Sequence, residues 1–123
     1  MREKVLKWAQ DTYGTLPESL WAKTPEDVVL RHESNKKWYA ILMKVRRSVL
    51  GSESDDIVDI INVNCDTLQI DLLSQQQGFF HGYHMNKNHW LTILLDGTVP
   101  LEAVCGLIEQ SFEMTAPKLK KHK

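Results

Sequence analysis

Residues 28–63 read VVLRHESNKKWYAILMKVRRSVLGSESDDIVDIINV, and this stretch decides the fold. Val28 to His32 and Trp38 to Val45 are rich in β-branched and aromatic residues, which suit a pleated, half-buried surface. Glu33-Ser34-Asn35-Lys36 between them is turn-prone, so the pair reads as a β-hairpin. The second strand is apolar on both alternating sets, Trp38/Ala40/Leu42 and Tyr39/Ile41/Met43, and this places it inside a sheet. Arg46 to Asp56 turns charged and small around Gly51-Ser52-Glu53-Ser54 before Ile57 to Val63 returns to strand composition. A second, longer and more mobile hairpin is expected there.

Outward toward the N-terminus, Val5, Trp8, Ala9, Thr12 and Tyr13 recur at helical spacing, with Gly14 placed to end the helix. Pro17 and Pro25 interrupt regular structure from Thr15 to Asp27, predicting a loop pinned by Trp21. Toward the C-terminus, Asp66 and Gln69 resemble a capping box that opens a helix through Leu68, Leu72 and Leu73. Phe79-Phe80 and His89 to Leu95 supply two further strands, and Asp96-Gly97 turns the chain. A last helix starts near Pro100, with Leu101, Val104, Cys105, Ile108 and Phe112 as its apolar stripe, and Pro117 ends it. The expected architecture is α+β: a two-layer sandwich with an antiparallel five-stranded sheet in the order α-β-β-β-α-β-β-α. Residues 1–117 make one domain, and the basic tail 118–123 is expected to be disordered.

The totals bound the function. A chain of 123 residues with 42% hydrophobic content can bury one ordinary core without disulfides or a structural metal. Cys65 and Cys105 are therefore expected as buried thiols in a reducing, cytoplasmic setting. No apolar run approaches the ~20 residues that cross a bilayer, so no membrane partner is expected. The net charge of −1, from 15 basic and 16 acidic residues, excludes a uniformly basic nucleic-acid binder and leaves only local clusters.

No Gly-x-Ser-x-Gly, phosphate-loop, His-Glu-x-x-His or Cys-x-x-Cys pattern occurs, so the chain is expected to be non-catalytic and to need no cofactor. One segment gathers functional side chains: His81-Gly82-Tyr83-His84-Met85-Asn86-Lys87-Asn88-His89-Trp90. Its three imidazoles lack a neighbouring carboxylate or thiolate, so no metal site is expected. Basic residues form the other cluster: Lys36 and Lys37 at the first hairpin, and Lys44, Arg46 and Arg47 entering the second. Such side chains neutralise phosphates by ion pairing and counterion release, and hairpin tips can reach a duplex as wings.

Several of these stretches together resemble the MmcQ/YjbR family of small bacterial proteins. They are Arg31-His32, Asn35-Lys36-Lys37-Trp38-Tyr39-Ala40, the run from Gly82 to Trp90, Leu95-Asp96-Gly97 with Val99-Pro100, Leu107-Ile108 and Ser111-Phe112. The resemblance covers nearly the whole chain. It implies a fold similar to type III secretion chaperones and CyaY-like domains, and binding of double-stranded DNA through a double-wing pair of hairpins. The residues implied for DNA are Lys36, Lys37, Lys44, Arg46, Arg47, His84, Asn86, Lys87 and His89. A protein-binding adaptor or chaperone-like module is the alternative, and a small-ligand site around Tyr83, His84, Lys87 and His89 a third.

Overall fold

The computed structural model describes residues 1–117, so the tail 118–123 lies outside the described residues. In chain order the elements are α1 (Arg2–Tyr13), β1 (Glu18–Ser19), β2 (Val28–Arg31), β3 (Trp38–Arg46), a 3-10 turn at Arg47–Leu50, β4 (Ile57–Asn64), α2 (Thr67–Leu73), β5 (Phe79–His81), β6 (Trp90–Leu94) and α3 (Leu101–Thr115). The fold is α+β as the pattern predicts, with six strands in place of five. The added strand is β1, a two-residue piece of the Thr15–Asp27 loop that pairs Glu18 with Val29 and Ser19 with Val28. Every pairing in the sheet is antiparallel, and the order is β1-β2-β3-β4-β6-β5.

Strand register sorts the side chains into two faces. Ala40 opposite Val63, Leu42 opposite Ile61, and Leu91 and Ile93 beyond them point toward the helices. They join Val5 and Ala9 of α1, Ile70 of α2, and Val104 and Ile108 of α3 in the main core. A bulge between Leu30 and Arg31 makes Leu30 partner Ala40 while Arg31 partners Trp38. Tyr39, left between them, turns into the same core. There it meets Phe112 edge-on, and Phe112 stacks flat on Tyr13 with ring centroids 3.8 Å apart. Burial pushes the Tyr13 phenol up to about 12, helped by the nearby Glu109 carboxylate.

The other face carries a smaller cluster, Val45, Val58, Ile60 and Leu94, against which no α-helix packs among the described residues. Leu50 of the 3-10 turn and Tyr83 of the β5–β6 connection close over it instead. The Arg46–Asp56 segment, expected as a mobile hairpin loop, is thus anchored by Leu50 and by the Arg47 amide, which donates to the Asp56 carbonyl at 2.7 Å. Trp21 pins its loop as expected, packing edge-on against Trp38 with centroids 5.9 Å apart.

Helix ends follow local chemistry. Gly14 takes a left-handed φ of 69° and donates its N–H to the Gln10 carbonyl, closing α1. The Asp66 carboxylate accepts from the amides of Leu68 and Gln69 at the start of α2. The reciprocal arm of the box is missing, because Oε1 of Gln69 lies 3.5 Å from the Cys65 sulfur. Four expected core positions differ: Thr12, Leu68 and Leu72 are exposed, and Cys105 is half-buried. Ile70, between those two leucines, is the residue that α2 buries. Leu107, left out of the expected α3 stripe, is buried.

Candidate functional site

The connection from β5 to β6, residues 82–89, is tied to the sheet by buried polar groups. Asn62 on β4 and Thr92 on β6 stand opposite each other and are fully buried among apolar neighbours. The Thr92 hydroxyl donates to Oδ1 of Asn62 and accepts the Tyr83 amide at 2.8 Å. Nδ2 of Asn62 donates to the Tyr83 carbonyl at 3.2 Å. Both backbone polar groups of Tyr83 are therefore satisfied by side chains from inside the sheet, as burial requires. Gly82 is needed one residue earlier: a Cβ there would lie 2.9 Å from Cβ of Trp90 and 3.0 Å from its carbonyl oxygen.

Beyond Tyr83 the loop is shaped by its own backbone. His84 adopts a left-handed φ of 58°, which costs a non-glycine residue free energy, and its ring sits edge-on to Tyr83 with centroids 4.1 Å apart. Oδ1 of Asn86 accepts from the Asn88 amide at 2.9 Å, and its carbonyl accepts from the amides of His89 and Trp90. Asn86 thus shapes the turn. The Asn88 carbonyl accepts from the Thr67 hydroxyl at 2.7 Å and the His89 carbonyl from the Cys65 amide at 2.8 Å, fastening the loop to α2. The side chains of His84, Lys87 and His89 are exposed.

A groove of about 540 Å³ runs between this loop and the 3-10 turn. Val49, Leu50, Phe80 and Met85 give it apolar walls, while His81, Tyr83, His84 and Lys87 supply its polar groups. Three of the four residues named for a ligand site converge there; His89 does not line it. Nε2 of His81 lies 3.2 Å from the Ser74 hydroxyl. That hydroxyl donates to the Asp71 carbonyl, so it accepts from Nε2 of His81, and Nδ1 of the neutral ring is then an acceptor.

The basic side chains separate into three groups. Lys36 and Lys37 are exposed at the β2–β3 tip, with Lys36 at a left-handed φ of 62°. This tip is fixed to α3: Nδ2 of Asn35 donates to the Thr115 carbonyl at 3.0 Å, and His32 pairs with the Thr115 hydroxyl at 2.8 Å. Because β3, β4 and β6 alternate in direction, the β5–β6 loop lies at this same end of the sheet. Arg46 and Arg47 lie at the other end of β3, whose nine residues span roughly 27 Å at about 3.4 Å per step. There they sit with Glu53, Asp55 and Asp56 of the following connection, and Arg47 pairs with Asp96 at 3.4 Å. Despite burial, which opposes it, hydrogen bonds from Thr98 and the Arg47 guanidinium hold the Asp96 carboxyl below its usual range. Lys44 lies on the helix side, where its ammonium meets Asp59 at 3.0 Å beside Arg2. The two hairpin tips named as wings therefore face away from each other along the sheet.

Among the described residues no group of three His, Cys, Asp or Glu side chains could hold a metal ion. Burial pushes both the Cys65 and Cys105 thiols up, away from the thiolate form, and both are free. No helix among the described residues is long and apolar enough to cross a membrane.

Comparison with known proteins agrees with this geometry. Uncharacterized protein YyaQ of Bacillus subtilis is 41% identical over 114 residues, covering 93% of this chain and 97% of its own. A crystal structure of a Pseudomonas syringae protein superposes with a TM-score of 0.92 at 37% identity, over 94% of this chain and 99% of that one. Deinococcus radiodurans protein DR2400 shares the fold, with a TM-score of 0.65 at 24% identity over 92% of this chain and 74% of that one. The YjbR family model matches residues 10–114, and the chain belongs to the YjbR family.

Proposed function

We propose that this chain is a non-catalytic, cytoplasmic binding protein that engages the phosphates of double-stranded DNA through one end of its sheet. Lys36, Lys37 and His89 are the contacts. The observation that carries the reading is their exposure at the end where α3 also finishes, tied to the β2–β3 tip through Thr115. Lys44 and Arg47 drop out of the contact set because they already pair with Asp59 and Asp96, and Arg46 drops out with them because Glu53, Asp55 and Asp56 follow it in the same connection. One basic end in place of two wings also suits a net charge of −1.

Fluorescence anisotropy with a labelled mixed-sequence duplex, at low and physiological salt, tests this. Affinity should fall steeply with salt. Lys36→Ala/Lys37→Ala should flatten the log–log salt slope by about 1.8, the share of two phosphate contacts, while Arg46→Ala/Arg47→Ala should leave it unchanged. Equal losses from both pairs, or no salt-dependent binding at all, would overturn the reading.

A second reading, a protein-binding adaptor, is favoured by one observation. Leu68 and Leu72, one helical turn apart on α2, are 67% and 60% exposed. Large apolar side chains paired on a helix surface are suited to a partner's apolar face. Leu68→Ser/Leu72→Ser should then abolish a partner interaction and leave DNA affinity untouched.

A further inference from the structure

We propose that the groove between the 3-10 turn and the β5–β6 loop is a binding site for a small amphipathic anion, a molecule joining an apolar body to a carboxylate or phosphate group. Its composition carries the argument. Val49, Leu50, Phe80 and Met85 line it with apolar surface, and Lys87, His84, His81 and Tyr83 bring polar groups to the same groove. No acidic residue lines it, in a chain that holds 16 Asp and Glu. Its volume of about 540 Å³ lies within the roughly 300–1,000 Å³ range of ligand clefts.

The rim is preorganised, which lowers the ordering cost of binding. Asn62 and Thr92 clamp both backbone groups of Tyr83 from within the sheet, and the next residue, His84, holds a left-handed φ of 58°. A buried polar pair and a strained residue both serve to hold one loop, and that loop brings Tyr83, His84, Met85 and Lys87 to the groove. Such strain gathers where backbone is held in place for a ligand. The Lys87 ammonium supplies the charge that the anionic group would meet.

Phenyl phosphate tests the site, with inorganic phosphate and benzyl alcohol as its separated charged and apolar parts, each titrated into the full chain and followed by amide NMR. Phenyl phosphate should give saturable millimolar shifts at Val49, Leu50 and Gly82 to Lys87, and each part alone should bind more weakly. Lys87→Ala and Val49→Ser should each weaken binding by about fivefold, the order expected for one screened ion pair or one lost apolar contact. Lys4→Ala, on the exposed side of α1, is the control and should change nothing. Shifts scattered over surface lysines, a Lys87→Ala variant that binds as well as wild type, or no saturable shift would overturn the proposal. DNA contact rests on Lys36 and Lys37 and the groove on Lys87, so either reading can fail while the other stands.

Discussion

Replacing Thr92 by Val keeps the shape of the side chain and removes its hydroxyl. In the native sheet that hydroxyl satisfies two buried groups at once, Oδ1 of Asn62 and the amide of Tyr83. Neither has another hydrogen-bond partner among the described residues. Leaving a buried donor or acceptor unpaired costs about 1–3 kcal/mol, so two such groups cost about 2–6 kcal/mol. The extra methyl recovers roughly 0.8 kcal/mol by burial. Thr92→Val is therefore expected to lose about 1–5 kcal/mol. With a urea slope of about 2 kcal/mol per molar for a small domain, a mid-range loss of about 3 kcal/mol should lower the unfolding midpoint by roughly 1.5 M while the slope holds. Hydrogen exchange at the Tyr83 amide should accelerate more than at Ile60 or Leu94 on the same face, because only Tyr83 loses its acceptor. A midpoint within about 0.3 M of wild type, or unchanged exchange at Tyr83, would refute the assignment of this pair as the clamp of the loop.

Other perturbations follow from the same contacts. Gly82→Ala pushes a methyl into Trp90 Cβ and its carbonyl, neither of which can swing away, and should destabilise the fold by about 1–3 kcal/mol in thermal unfolding. Ser111 is fully buried on α3, donating to the Tyr39 carbonyl and accepting the Asn64 amide; Ser111→Ala should cost about 1–3 kcal/mol and expose the Asn64 amide to exchange. Burial holds the His32 imidazole below its usual pKa, against a smaller opposing effect of its hydrogen bond to the Phe112 backbone carbonyl. The folded state then prefers neutral His32. Its contribution is whole above the unfolded value near about 6.5 and declines as pH falls from there toward the folded value. Urea midpoints for wild type minus His32→Asn, measured from pH 7.5 down to 5, should show this decline, and a flat difference would contradict it.

Much of the architecture was legible because local chemistry and hydrophobic period agree. Gly14 and Asp66 mark helix ends wherever the backbone needs them, and the apolar runs around Ile41, Ile61 and Ile93 lie where strands form. β1 was not legible: two polar residues after a proline carry no period, and Glu18–Ser19 becomes a strand only because Val28 and Val29 offer it an open flank. The exposed Leu68 and Leu72 misled in the opposite way, since apolar type alone does not say which side of a seven-residue helix meets the core.

For the site, composition located the loop from Gly82 to His89, and left its clamp unseen. Asn62 and Thr92 are 30 residues apart and become a pair only through strand register. An asparagine inside the apolar run Ile57–Val63 was the available signal. The dispersal of the basic tips was also derivable. Two consecutive hairpins share β3, so their tips must sit at its two ends, and charge read along the chain without that geometry merges what the sheet separates.

The two flanks of the sheet are a two-residue strand preceded by Pro17 and a three-residue strand, β5. On the first, the Glu18 carboxylate is held by the Arg31 guanidinium of the neighbouring strand, so charge guards the margin. Neither flank offers the long, flat row of unpaired amides and carbonyls on which another chain could template itself. The nine-residue β3 and eight-residue β4, which could seed amyloid-like stacking if bared, are both interior. Resistance to fibril growth is thus built into the margins, and it should persist for as long as the sheet stays closed between them.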